Sequence, residues 1–337
     1  MLGEPEGLFR GATTNPPLAW GAIEAERFAW DAWVRKRARS AASAEELFWA
    51  LYEEVCRQAG EVLAPLHHAS KGRYGHVCAQ VDPRRLTDLE AMLDQAHRLH
   101  ALGANIMIKM PATQEGIEGI RLLSSEGIST TATLCFSIAQ MVAVAEAAQA
   151  GAEAARAAGR DLGAWRCCAA LMMGRFEEAP DFAQQAKALG ISLSEADLRW
   201  AGIAVARKAY RIFRERGYNA YVLCASMRLG PEVDGQMRIW HLEQLAGGGI
   251  VLTIFPNILA AFLEAYANRP LEPHIEEPVP EEVLDRLLRI PYFRQAYEED
   301  GLSPEAFAQL PGVRLTAGAF SEAMQTIERY ALSFWQH

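Results

Sequence analysis

Short apolar runs alternate with longer amphipathic stretches through the first 268 residues of this 337-residue chain, and that alternation limits its fold more than any other feature. The apolar runs lie at 8–13, 76–81, 105–110, 129–135, 166–172, 220–225 and 250–255. Each is short enough for a strand, and each gap is long enough for a helical crossover. Parallel neighbours need such crossovers, so the pattern predicts a parallel sheet covered by helices rather than a bundle or an antiparallel sandwich. The length suits one α/β barrel of roughly 250 residues or more with additions, or two smaller domains.

The gaps carry helix signals with a mechanism. Ser43-x-x-Glu46 and Ser194-x-x-Asp197 have the spacing of capping boxes, in which side chains satisfy the free N–H groups of a first turn. Asp82-Pro83 and Ser303-Pro304 each place an acceptor before a proline, an arrangement expected to open a helix. Residues 1–268 therefore read as the barrel, 269–282 as a Pro-rich acidic connection, and 283–337 as helices packing on the barrel. The final helices are expected at 281–289, 292–299, 303–309 and 317–334.

Half the residues are hydrophobic and 22% are charged, an ordinary globular composition. The net charge of −9 argues against nucleic acid as a partner, since such binding draws on clustered Lys and Arg. The basic run at 35–39 reads as a solvated helix end. Six scattered cysteines lack metal-ligand spacing and read as reduced core residues, while His67-His68 and His97-x-x-His100 have no Cys or carboxylate cluster beside them. No charged-then-apolar leader opens the chain, and the longest apolar run, 250–263, is broken by Pro256 and Asn257. A soluble, cytoplasmic protein without membrane partners is the expectation.

One residue breaks the apolar pattern. Lys109 stands inside the run at 105–110, followed by Pro111-Ala112-Thr113. Burial disfavours the ammonium and lowers its pKa, the tuning an amine needs to attack a carbonyl at neutral pH. The competing reading is a lysine at a strand end whose stem is buried and whose head reaches water.

Several segments occur in a fixed order around it: Gly11-Ala-Thr-Thr-Asn-Pro16, Gln80-Val-Asp-Pro-Arg84, Ile108-Lys-Met-Pro-Ala-Thr-Gln-Glu-Gly116, Thr133-Leu-Cys-Phe-Ser137, Gly174-Arg175, Ala225-Ser-Met-Arg228 and Ile254-Phe-Pro-Asn257. In sequence and spacing they resemble the motifs of the transaldolase family. The resemblance implies a (β/α)8 TIM-type barrel with extra C-terminal helices. It further implies that Lys109 forms a Schiff base with a ketose phosphate and serves as the electron sink for carbon–carbon cleavage, with no metal or other cofactor. Asn15 matches the family's substrate-orienting asparagine, Thr133 the threonine that helps hold the catalytic water, and Arg175, Ser226 and Arg228 the phosphate grip. Arginine suits that task independently, through bidentate contact with phosphate.

The chain departs from the family pattern at named positions. Gln80 stands where a catalytic glutamate is expected, Thr131 where an asparagine is usual, and Ala170 near where a serine is expected. An amide positions a water but cannot take its proton. Asp82 shares strand parity with Gln80, although its place before Pro83 fits capping better. The first strand of the family, with its aspartate, has no counterpart in residues 1–10.

Three readings follow: a transaldolase moving a three-carbon dihydroxyacetone unit, a Schiff-base aldolase or other imine enzyme on a different carbonyl, and a non-catalytic partner subunit. Seven strands do not close an eight-strand barrel. The gap is filled by a strand from a second polypeptide or covered by a C-terminal segment, or else the barrel stays open. A homo-oligomer is the alternative to a second polypeptide.

Overall fold

The computed structural model describes residues 7–268 and 270–335. One parallel sheet contains β1 (Gly11–Thr13), β2 (His76–Gln80), β3 (Ile106–Pro111), β4 (Thr130–Cys135), β5 (Cys167–Met172) and β6 (Tyr221–Ala225). An antiparallel ribbon of β7 (Glu232–Val233) and β8 (Gln236–Met237) follows, and β9 (Val251–Leu252) completes the sheet beside β6. The sheet order is β1-β2-β3-β4-β5-β6-β9, so spatial neighbours follow one another in the chain apart from the ribbon. All seven apolar runs become strands. The first and last are shorter than expected, because an edge strand has ladder bonds on one side only.

The sheet curls. Cys78 of β2, Met107 of β3, Cys168 and Ala170 of β5, and Leu223 of β6 form a single buried cluster on one face. In a flat sheet β2 and β6 would stand four spacings apart, roughly 19 Å, too far for a shared cluster of side chains this size. Residues of opposite parity, including Val77, Ile108, Ala132, Ala169 and Cys224, face outward into the main core under the helices. That core is one cluster running from Ala19 to Ala331, so the C-terminal helices share it with the sheet. Helix Pro311–Leu332 packs on helices Pro16–Ala25 and Ala44–Ala69 and on β4.

Helix starts show where side-chain chemistry was and was not readable. Ser194 and Asp197 complete a capping box. Ser43 accepts from Glu46 N at 3.0 Å, but Glu46 returns to Ala42 N and to Arg37 instead of Ser43 N, so only half the box forms. Asp82-Pro83 opens a turn, not a helix. The Asp82 carboxylate accepts from Arg84 N at 3.0 Å, closing an Asx-type turn, and the helix starts at Leu89 with Asp88 as its cap. Ser303 precedes a short 3-10 helix, Pro304–Gln309, without capping it by its side chain. The last helix begins at Pro311 rather than 317, with proline in the first turn where its missing N–H is not needed.

Among the described residues, β1 and β9 each have a strand neighbour on one side only. No helix among them is long and apolar enough to cross a membrane. All six cysteines are buried and unbridged, and burial raises the Cys56, Cys167 and Cys224 thiols to about 12. They behave as small apolar residues.

Candidate active site

Lys109 belongs to the inward parity of β3, and the sheet leaves it 7% exposed. Its Nζ donates to the Thr14 carbonyl at 3.2 Å and to Thr13 Oγ1 at 3.4 Å. The side chain thus reaches past β2 to the end of β1. No carboxylate pairs with it among the described residues. Burial lowers its pKa from 10.5 to about 8, with the nearby Cys78 opposing that shift. At neutral pH a usable fraction of the amine is therefore unprotonated.

The flanking strands bring two candidates beside it. Gln80 is paired in register with Lys109 across β2–β3, and its backbone carbonyl is fixed by the Tyr52 hydroxyl at 2.9 Å. Thr133, on β4, sits in register with Pro111. Gln80 Oε1 and Thr133 Oγ1 are both buried and lack hydrogen-bond partners among the described residues. They are two of ten such atoms among the described residues, and both lie on the strands flanking Lys109.

The backbone there is irregular as well. Register slips between Ala132 and Cys135 of β4, and Leu134 has φ of 61°, a conformation unfavourable for a branched side chain. Gln140 holds this bulge: its Nε2 donates to the Ala112 and Leu134 carbonyls, and its Oε1 accepts from Phe136 N. Strain fixed in this manner concentrates at functional positions.

Thr131 shares the inward face but is occupied. Its hydroxyl donates to Met107 Sδ at 2.8 Å and lies 3.3 Å from Cys78 Sγ. Asn15 follows the Thr14 carbonyl that touches Lys109, and its Oδ1 caps helix Pro16–Ala25 through Leu18 N at 2.9 Å. Asp82 is held by the Arg84 guanidinium, which also pairs with Glu328, so it is not a free base.

The arginines come together beyond β5 and β6. Arg175 lies in the short helix Met173–Glu177, and Arg228 in the loop leaving β6. The two segments touch through Gly174 N, which donates to the Ser226 carbonyl at 3.0 Å. A Cβ on Gly174 would come within 2.2 Å of that oxygen, so glycine is required for the approach. Ser226 has φ of 60°, and Arg228 Nη1 reaches back to its carbonyl and to its Oγ at 3.2 Å. Burial and the Arg228 charge push the Arg175 guanidinium below its usual value. Glu178 offsets part of the repulsion between the two guanidiniums, and a bound anion would offset more. They differ in availability: Arg228 makes a bidentate pair with Glu178 at 2.8 Å, whereas Arg175 lies over the Phe320 ring at 5.6 Å with no ion pair among the described residues.

Sequence reasoning missed the groups behind this loop, Glu177, Arg199 and His241, and missed Glu178 as the partner of Arg228. None has a spacing that signals its role, because His241 and Glu177 meet across 64 positions.

A curled parallel sheet of seven strands under helices is an α/β architecture consistent with a TIM-type barrel, with a desolvated lysine on its inner face and two arginines beyond the strand ends. Residues 4–309 match the family model described as "Transaldolase/Fructose-6-phosphate aldolase". The chain is 31% identical over 315 residues to a transaldolase of Thiobacillus denitrificans, covering 92% of this chain and 83% of that protein. It is 30% identical over 278 residues to a transaldolase of an Arthrobacter species, covering 82% and 70% respectively. A transaldolase of Thermobifida fusca is 36% identical over 210 residues, 61% of this chain and 55% of that protein. The chain belongs to the transaldolase/fructose-6-phosphate aldolase family.

Proposed function

We propose that this chain forms a Schiff base between Lys109 and the carbonyl of a ketose phosphate and transfers a three-carbon dihydroxyacetone unit to an aldehyde. The observation that carries the reading is the lysine itself: buried, unpaired with any carboxylate among the described residues, and brought to a pKa of about 8. The amine adds to the ketone and water leaves. Cleavage of the carbon–carbon bond then delivers its electron pair to the iminium, leaving an enamine on Lys109 and releasing an aldose. Attack of the enamine on an acceptor aldehyde and hydrolysis return the free amine. In this reading Gln80 and Thr133 hold the catalytic water, Asn15 orients the substrate, and Arg175, Arg228 and Ser226 take the phosphate. The transaldolases it resembles and the positions of these residues support the assignment.

A specific observation favours a second reading, a lyase that releases the three-carbon fragment free. Gln80 cannot accept a proton, and no carboxylate contacts Lys109 among the described residues, so the acid–base set expected for efficient transfer is altered. The name of the matched family covers both an aldolase and a transaldolase.

Borohydride reduction in the presence of dihydroxyacetone or fructose 6-phosphate tests the imine. An adduct mapped to Lys109, absent in Lys109→Ala, is expected. Product analysis with and without erythrose 4-phosphate separates transfer from free release. No adduct with any small ketone would move the assignment to the non-catalytic partner subunit.

A further inference from the structure

Beneath the Arg228 loop lies a fully buried polar network that the proposed chemistry does not use. Glu177 and His241 are both completely buried in their side chains, and Arg199 is 7% exposed. Arg228 N donates to His241 Nδ1 at 2.9 Å. An amide can only donate, so Nδ1 is unprotonated and the ring proton sits on Nε2, which donates to Glu177 Oε1 at 2.7 Å. The other carboxylate oxygen, Oε2, pairs with Arg199 Nη1. Arg199 Nε then donates to the Leu229 carbonyl at 3.2 Å, with Glu195 a more distant partner of the same guanidinium.

The path therefore starts and ends on the backbone of one loop, at the N–H of residue 228 and the carbonyl of residue 229. Space for it is reserved: a Cβ on Gly202 would stand 2.1 Å from Glu177 Oε1. Well-packed apolar side chains would serve general stability equally well, so a buried ionic path that terminates on two adjacent residues is better explained by the geometry it enforces. The loop it holds needs enforcement. Ser226 is left-handed, and the Arg228 side chain folds back on the Ser226 and Met227 carbonyls while Glu178 holds its other edge, so the backbone position and Glu178 together set that of the guanidinium.

We propose that Glu177, His241 and Arg199 are positioning residues that lock the Arg228 loop in its anion-binding conformation, with His241 as the direct hold. The inference rests on the reading of Arg175 and Arg228 as an anion site, and the test separates the two. Titration calorimetry of the full chain with inorganic phosphate reads the anion site without requiring catalysis. His241→Leu, which keeps volume but loses both hydrogen bonds, should weaken phosphate on the order of tenfold, the worth of one well-placed hydrogen bond. His241→Asn places Oδ1 where Nδ1 stood and should restore most of the affinity. His241→Gln keeps only the donor side and should resemble Leu. KM for a phosphorylated ketose should follow the same order, with kcat at saturation changing less.

Should His241→Leu fail to fold, the Asn and Gln variants decide the matter between them. Equal affinities for those two, or KM and kcat moving together in all variants, overturn the positioning role. No phosphate binding by the unaltered chain removes the anion site itself and the inference with it.

Discussion

Lys109 loses most of its water on entering the curled sheet, and reactivity and stability pull against each other at that one amine. Its pKa in the folded chain is about 8 against an ordinary 10.5, so the unfolded chain binds the proton more tightly. Stability from this group is thus greatest above the unfolded value, declines as pH falls from 10.5 towards 8, and levels off below; the gap amounts to roughly 3 kcal/mol. Lys109→Met should raise the melting temperature at pH 7 while abolishing the borohydride adduct; a lower melting temperature would show that the contacts with Thr13 and Thr14 outweigh desolvation. In the unaltered chain the trapping rate should climb with pH and level off above about 8. Gln80 permits a second expectation, because its orphan Oε1 lies beside the lysine strand. Transaldolase turnover should be weak, and Gln80→Glu should raise it by about 10²-fold, the lower end of what a general base contributes. High native turnover, or no response to the substitution, would show that proton transfer runs through another group. At this scale Lys109 was legible because a charge inside an apolar run is anomalous. Glu177 and His241 were not, since each is unremarkable in its own segment and acquires meaning only from a contact formed by folding.

Helices illustrate how packing overrides local preference. Gly202 lies within helix Glu195–Glu215, where glycine is ordinarily worse than alanine by about 1 kcal/mol. Propensity alone says Gly202→Ala stabilises. The Glu177 carboxylate beside it says the opposite, because an added methyl must displace a buried, ion-paired oxygen. The variant should lose about 1–3 kcal/mol in denaturant unfolding, the range for overpacking. A gain would mean the helix shifts freely there. Helix Pro311–Leu332 carries a related expectation, since its Phe320 ring underlies Arg175. Phe320→Leu should weaken phosphate binding by a few-fold, a cation–π contact at a partly open site being worth about 0.5–1 kcal/mol; unchanged affinity would make the ring a packing residue only. The helix starts show the limit of reading elements from sequence. Ser194-x-x-Asp197 behaved as its spacing indicated, whereas Asp82 turned its acceptor to a residue two positions on, an outcome the same dipeptide permits equally well. Gly312 lies against the Phe136 ring near the start of the last helix, a tertiary reason for an early helical glycine that no local signal supplies.

For the whole molecule, the alternation of apolar runs and helices was enough to read all seven strands in order: the central β3, β4 and β5 are buried along their whole length and show as long, mainly apolar segments, while the exposed edge strands β1 and β9 were read from their place in the alternation. Closure was not readable, since what stands between β1 and β9 depends on groups beyond any local pattern. Native mass spectrometry of the purified assembly distinguishes a second polypeptide at these edges from a homo-oligomer that leaves them to this chain. Every strand from β2 to β6 pairs with the strand made just before it, so a chain emerging from the ribosome can add one strand–helix unit at a time to an edge already present. Such a fold grows outward from its beginning, and its nascent intermediates always present a single fresh edge for the next unit to claim.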